Sequence, residues 1–129
     1  MKNTFLSLTT LLFCFTMITS SAQTQSTSAK MLRHVVLFKF KDTSSAQDVK
    51  MLEEAFAAFA GKLKLVKDFE WGTNNSPENL NQGLTHCFLV SFASEKDRDD
   101  YLVHPDHKAF VEALKPHLDK VTVIDYWVK

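Results

Sequence analysis

The chain has 129 residues, of which 45% are hydrophobic and 23% charged, with 15 Lys and Arg balanced by 15 Asp and Glu. That is the composition of one ordinary globular domain, and it excludes a disordered chain. Zero net charge supplies no basic excess for phosphate recognition, so nucleic acid is excluded as a partner, and three Gly and three Pro exclude collagen-like and linker-rich designs.

Residues 1–22 read as a secretory signal peptide. Lys2 provides a positive start, Phe5 to Ile18 an apolar stretch, and Ser20 and Ala22 the small residues before a cleavage point at Gln23. Ser7, Thr9, Thr10 and Thr16 interrupt the apolar stretch, which is shorter than the roughly 20 residues that span a bilayer. The expected product is secreted or periplasmic and keeps no stable membrane span. Cys14 follows the bulky Phe13, where a lipidation site wants a small residue, and it leaves with the signal. Cys87 is then the one remaining thiol, unable to form an intramolecular bridge. Its apolar strand setting predicts a buried small hydrophobe. Residues 23–30 (QTQSTSAK) are small and polar and read as a flexible tether to a domain over 31–129.

Met31–Lys41 is rich in β-branched and aromatic residues, as strands are. His34, Val36, Phe38 and Phe40 fall on one face, and Arg33, Val35, Leu37, Lys39 and Lys41 on the other. Ser44 or Ser45 can cap a helix running to about Ala60, with Val49, Leu52, Ala55/Phe56 and Phe59 at helical spacing. Gly61 stands where a helix end favours positive φ. Val66–Thr73 predicts a second strand, Asn74–Gly83 a loop, and Thr85–Phe92 a third strand. Ser94 with Asp97 suggests a capping box on a second helical region. His104-Pro105 interrupts that region, and Pro105 can begin a further helical piece bearing Phe110, Val111 and Leu114. Val121–Val128 is the last strand.

The order βαββαβ is the split-βαβ pattern of an α+β, ferredoxin-like fold. The crossovers are read as placing the first and third strands side by side in the centre, parallel, with both helices on one face. The other face is not polar. The first strand also carries Val35 and Leu37, the third Cys87 and Leu89, and the fourth Ile124, Tyr126 and Val128. Leaving such side chains wet forgoes roughly 1.5–3 kcal/mol each. A second copy of the chain is therefore the expected cover, making the protein a homodimer.

The residues suited to chemistry are mostly histidines. Parallel central strands would bring His34 and His86 to the same end of the sheet, as a shared polar site or as two satisfied core residues. Tyr101 and His104, three apart, can share a helix face. A Tyr–His couple can polarise a carbonyl and move a proton beside it. The alternative is that His104 caps the helix and Tyr101 packs in the core. No HExxH or paired-Cys spacing supports a metal site, and there is no phosphate loop or nucleophile elbow, so no metal or cofactor is expected. His117, after Pro116 at a helix end, is expected at the surface.

From Met31 to Lys129 the sequence resembles the stress-responsive α/β-barrel (Dabb) domain. The stretches that carry the likeness are Arg33–Lys41 (RHVVLFKFK), Trp71–Asn74, Gly83–His86, Tyr101–His107 (YLVHPDH) and Asp125-Tyr126. The resemblance implies a dimeric α+β barrel, two four-stranded antiparallel sheets packed face to face. By the motif of the plant polyketide cyclases that share the domain, it also implies a pocket between sheet and helices. Tyr101 and His107 would be its acid–base pair, with His34, His86 and His104 helping to line it. Phe56 stands where those cyclases carry a helical Tyr, and Leu118 where they carry a Trp, so Phe56 joins the pocket residues.

Two functions fit these residues. One is an exported dimer that binds a small carbonyl-bearing or aromatic molecule in a His/Tyr-lined pocket, with acid–base chemistry open to it. The other is a non-catalytic structural or stress-protective dimer whose histidines are a fold signature.

Overall fold

A computed structural model describes residues 30–129; the segment read as a signal peptide and all but the last residue of the expected tether lie outside the described residues. The elements are β1 (Leu32–Phe40), α1 (Ala46–Lys62), β2 (Val66–Thr73), β3 (His86–Phe92), α2 (Glu95–Val103), α3 (Pro105–Leu114) and β4 (Leu118–Trp127). They build a four-stranded sheet in the order β2-β3-β1-β4, with all neighbouring strands antiparallel.

The central pair β1 and β3, expected to run parallel, is antiparallel. The right-handed crossover through α1 makes β1 and β2 the parallel pair and leaves a slot between them. β3 follows β2 through the 74–85 connection and fills that slot in the reverse direction. The register then sets His34 opposite Val90 and His86 opposite Phe38. The two imidazoles share the helix-covered face but stand four strand positions apart, roughly 13 Å at the usual rise per residue.

Local chemistry sets the helix ends. Ser45 and Asp48 form a complete capping box at α1: the Asp48 amide donates to Ser45 Oγ at 3.1 Å and the Ser45 amide to Asp48 Oδ2 at 3.0 Å. The helix runs through Gly61 and ends at an extended Leu63. Gly61 is therefore helical rather than a positive-φ cap; among the described residues positive φ occurs at Asn79, Gln82 and Gly83, in the β2–β3 loop. At α2, Ser94 caps the Asp97 amide at 3.0 Å without the reciprocal bond expected of a box. His104 ends α2, and its Nδ1 accepts from the Asp106 amide at 3.2 Å to begin α3. Pro105 sits at the first position of α3, where its missing N–H costs nothing.

The core lies between the sheet and the helices. Leu52, Phe56, Phe59 and Ala60 of α1 and Phe110 and Leu114 of α3 are buried against Leu32, Val36, Phe38, Phe88, Val90 and Phe92. Phe56 is its hub, with ring centroids 4.4 Å from Phe88, 4.8 Å from Phe110 and 5.1 Å from Phe59.

The opposite face of the sheet carries Val35, Leu37, Leu89, Ile124 and Tyr126, with Ile124 53% and Tyr126 47% exposed. Cys87 lies on this face and is exposed, not buried as its strand pattern suggested. His117 is half-buried, its Nδ1 3.1 Å from Ser44 Oγ.

Candidate functional site

A cavity of about 340 Å3 opens between the inner face of β1 and β4 and the three helices. Its apolar wall includes Val36, Phe38, Phe56, Phe110, Leu114, Leu118, Val121 and Val123, and its polar end is His34, Tyr101, His107 and Asp125. β1 delivers His34 because it is in phase with the core residues Leu32, Val36 and Phe38. Tyr101 comes from the last turn of α2 and His107 from the first turn of α3, so the His104-Pro105 break brings them together. Their ring centroids are 4.7 Å apart, and His34 lies 6.0 Å from Tyr101.

Tyr101 is fully buried, between Phe59 and Phe92 at 5.8 and 5.1 Å. Burial pushes its phenol pKa well above the ordinary tyrosine value, so the hydroxyl stays protonated and can donate. Burial also holds the His107 imidazole below its ordinary value; a backbone hydrogen bond at Leu102 opposes this and the nearby His34 adds to it. A neutral imidazole beside a protonated phenol offers a proton acceptor and a hydrogen-bond donor to one ligand.

His34 is held by Asp125, its Nδ1 donating to Oδ1 at 2.7 Å. Asp125 Oδ2 in turn accepts from Arg98 Nη1 at 2.7 Å. Asp125 falls in phase with the apolar Val121 and Val123 on the inner face of β4, where a carboxylate needs a partner, and that phase is the sequence signal for it. Arg98, on a strongly charged helix, gave no such signal.

The structure thus brings His34, Tyr101, His107 and Phe56 to one cavity and leaves His86 and His104 outside it. His86 is buried farther along β3. Its Nε2 bonds Glu53 Oε1 at 2.9 Å and its Nδ1 bonds Thr85 Oγ1 at 2.8 Å. Both ring nitrogens are committed, and they tie β3 to α1. The antiparallel register is what separates His86 from His34. His104 spends its Nδ1 on the cap of α3, because the helix break leaves the Asp106 amide without a backbone acceptor. Among the described residues no group of three or more His, Cys, Asp or Glu side chains is arranged to hold a metal ion.

The family model described as the stress responsive A/B barrel domain matches residues 32–128. A stress-response A/B barrel domain-containing protein of Arabidopsis thaliana is 39% identical over 95 residues, covering 74% of this chain and 87% of the relative. Olivetolic acid cyclase of Cannabis sativa is 26% identical over 95 residues, covering 74% of this chain and 94% of the cyclase. Among solved structures, a dimeric protein of unknown function with a ferredoxin-like fold from Bacteroides fragilis superposes with a TM-score of 0.62 at 24% identity, covering 76% of this chain and 96% of that one. The fold, the matched span and the Arabidopsis relative agree: the chain belongs to the stress responsive A/B barrel (Dabb) domain family.

Proposed function

We propose that this Dabb protein is an exported homodimer that binds a small, neutral carbonyl-bearing or aromatic molecule in the cavity between sheet and helices. Tyr101 donates to the ligand's carbonyl oxygen and His107 takes or returns a proton beside it. The observation that carries this reading is the 4.7 Å approach of the Tyr101 and His107 rings at the polar end of an otherwise apolar cavity. Burial supports it, because each group is held in the protonation state the roles require. The similarity to a cyclase adds support for the pocket as a place where such molecules are handled.

Dimerisation is inferred from the exposed apolar sheet face, which the helices cannot reach. The dimeric relative with the same fold lends it support. Export rests on the Lys2, apolar-stretch and Ser20-x-Ala22 arrangement. Mass spectrometry of the native protein should find an N-terminus at Gln23, and a retained Met1 would refute it.

The site is tested by titrating acetophenone and 2-heptanone into the protein while following backbone amide shifts. Perturbations should cluster at residues 101–107 and at His34, and Tyr101→Phe and His107→Ala should lose them. Binding that is absent, or insensitive to both changes, defeats the reading. The second reading, a structural dimer, is favoured by the packing of Tyr101 between Phe59 and Phe92. It predicts no ligand response and a loss of stability in the His107 variant.

A further inference from the structure

Arg98 stands on α2 with its side chain 21% exposed, while the side chain of His34 is 6% exposed. Between them Asp125 of β4 is gripped at both oxygens: Arg98 Nη1 donates to Oδ2 at 2.7 Å and His34 Nδ1 donates to Oδ1 at 2.7 Å. Arg98 also donates from Nε to Asp99 Oδ1 at 2.9 Å, which braces the guanidinium on its own helix. The result is a guanidinium–carboxylate–imidazole chain from the surface to the cavity, crossing from α2 to β4 to β1.

A carboxylate only accepts hydrogen bonds, so the His34 nitrogen facing it must carry the proton. Held at one end alone, the carboxylate could rotate and offer either oxygen or turn away. The planar guanidinium is suited to hold one oxygen in place and leave the other aimed at the ring.

We propose that Arg98 is a positioning residue for this cavity: by holding Asp125 it keeps His34 in the Nδ1–H tautomer, with Nε2 left as the ring's hydrogen-bond acceptor. The polar end then presents a donor at Tyr101 and acceptors at His34 and His107. It suits a ligand bearing a hydroxyl or N–H donor as well as an acceptor oxygen. The part concerning ligands rests on the reading of the cavity given above; the part concerning the tautomer does not.

The test is ligand-free. Long-range proton–nitrogen spectra of the 15N-labelled protein at neutral pH report which ring nitrogen of each histidine is protonated. Wild-type His34 should show a single Nδ1–H pattern. A His34 protonated at Nε2 alone overturns the proposal without any variant. Arg98→Gln should lose the single-tautomer pattern at His34 while His117, bonded to Ser44 elsewhere, keeps its own. Arg98→Lys, which retains charge and a donor, should keep the wild-type pattern at His34. An unchanged His34 pattern in folded Arg98→Gln overturns the proposal. A second arm adds 2-hydroxyacetophenone to the wild type. Binding without any Arg98 dependence of the tautomer sustains the cavity and sinks the role of Arg98. A tautomer that depends on Arg98 with no binding does the reverse.

Discussion

The rings of Tyr101 and His107 meet at 4.7 Å because α2 ends and α3 begins between them. An unbroken helix would turn residues six apart about 120° from each other and set them about 9 Å apart along its axis. The His104-Pro105 break resets the direction of the chain, and both side chains reach the same cavity. Tyr101→Phe keeps the buried ring and removes only the hydroxyl. Its effect on stability should be about 0.5–1.5 kcal/mol, whereas Tyr101→Ala should cost about 3–5 kcal/mol as a buried aromatic truncation. Denaturant unfolding of the two variants separates the hydroxyl's role from that of the ring.

Burial of His107 couples stability to pH. Its folded pKa lies below the ordinary imidazole value of about 6.5. The unfolded chain therefore binds more protons in the window between the two values, and stability falls as pH drops through it. The contribution is fully present above about pH 6.5 and lost below the folded pKa. His107→Asn should show a smaller drop in melting temperature between about pH 7.5 and pH 5 than the wild type. An equal drop in both proteins would assign the acid sensitivity to other groups.

Glu53 and His86 form a structural tie and not part of the cavity. Glu53→Ala leaves the buried His86 Nε2 without its 2.9 Å partner. A buried group deprived of its bond costs about 1–3 kcal/mol. Chemical denaturation should read that loss, while acetophenone binding at the Tyr101 cavity should be unchanged.

The open sheet face offers a direct test of assembly. Leu37 points away from the helices, among Val35, Leu89 and Ile124. Leu37→Asp would bury an unpaired charge in a dimer interface, at a cost of several kcal/mol, and leave the monomer's own core untouched. Light scattering should show the wild type at twice the chain mass and the variant at a single chain mass, with circular dichroism unchanged.

Strand and helix identity, a serine cap for α1 at Ser44 or Ser45, the helix break at Pro105 and the two-faced strands were all legible in the sequence. Each depends on spacing or on side chains bonding within a few residues. The alternation along Leu32–Phe40 and the helical stripe Leu52, Phe56, Phe59 needed no knowledge of partners. So was the motif that marks the family, with Tyr101 and His107 in it. Direction and register between strands are different, because they depend on which strand fills the slot between β1 and β2. The family resemblance already implied an antiparallel sheet, but only the tertiary structure fixed the pairing of β1 with β3 and its register, and with that it parted His86 from His34 and committed His86 to Glu53. It alone joined Arg98, Asp125 and His34, residues 98, 125 and 34 of the chain, since a hydrogen-bonded chain across three elements leaves no periodicity in any one of them.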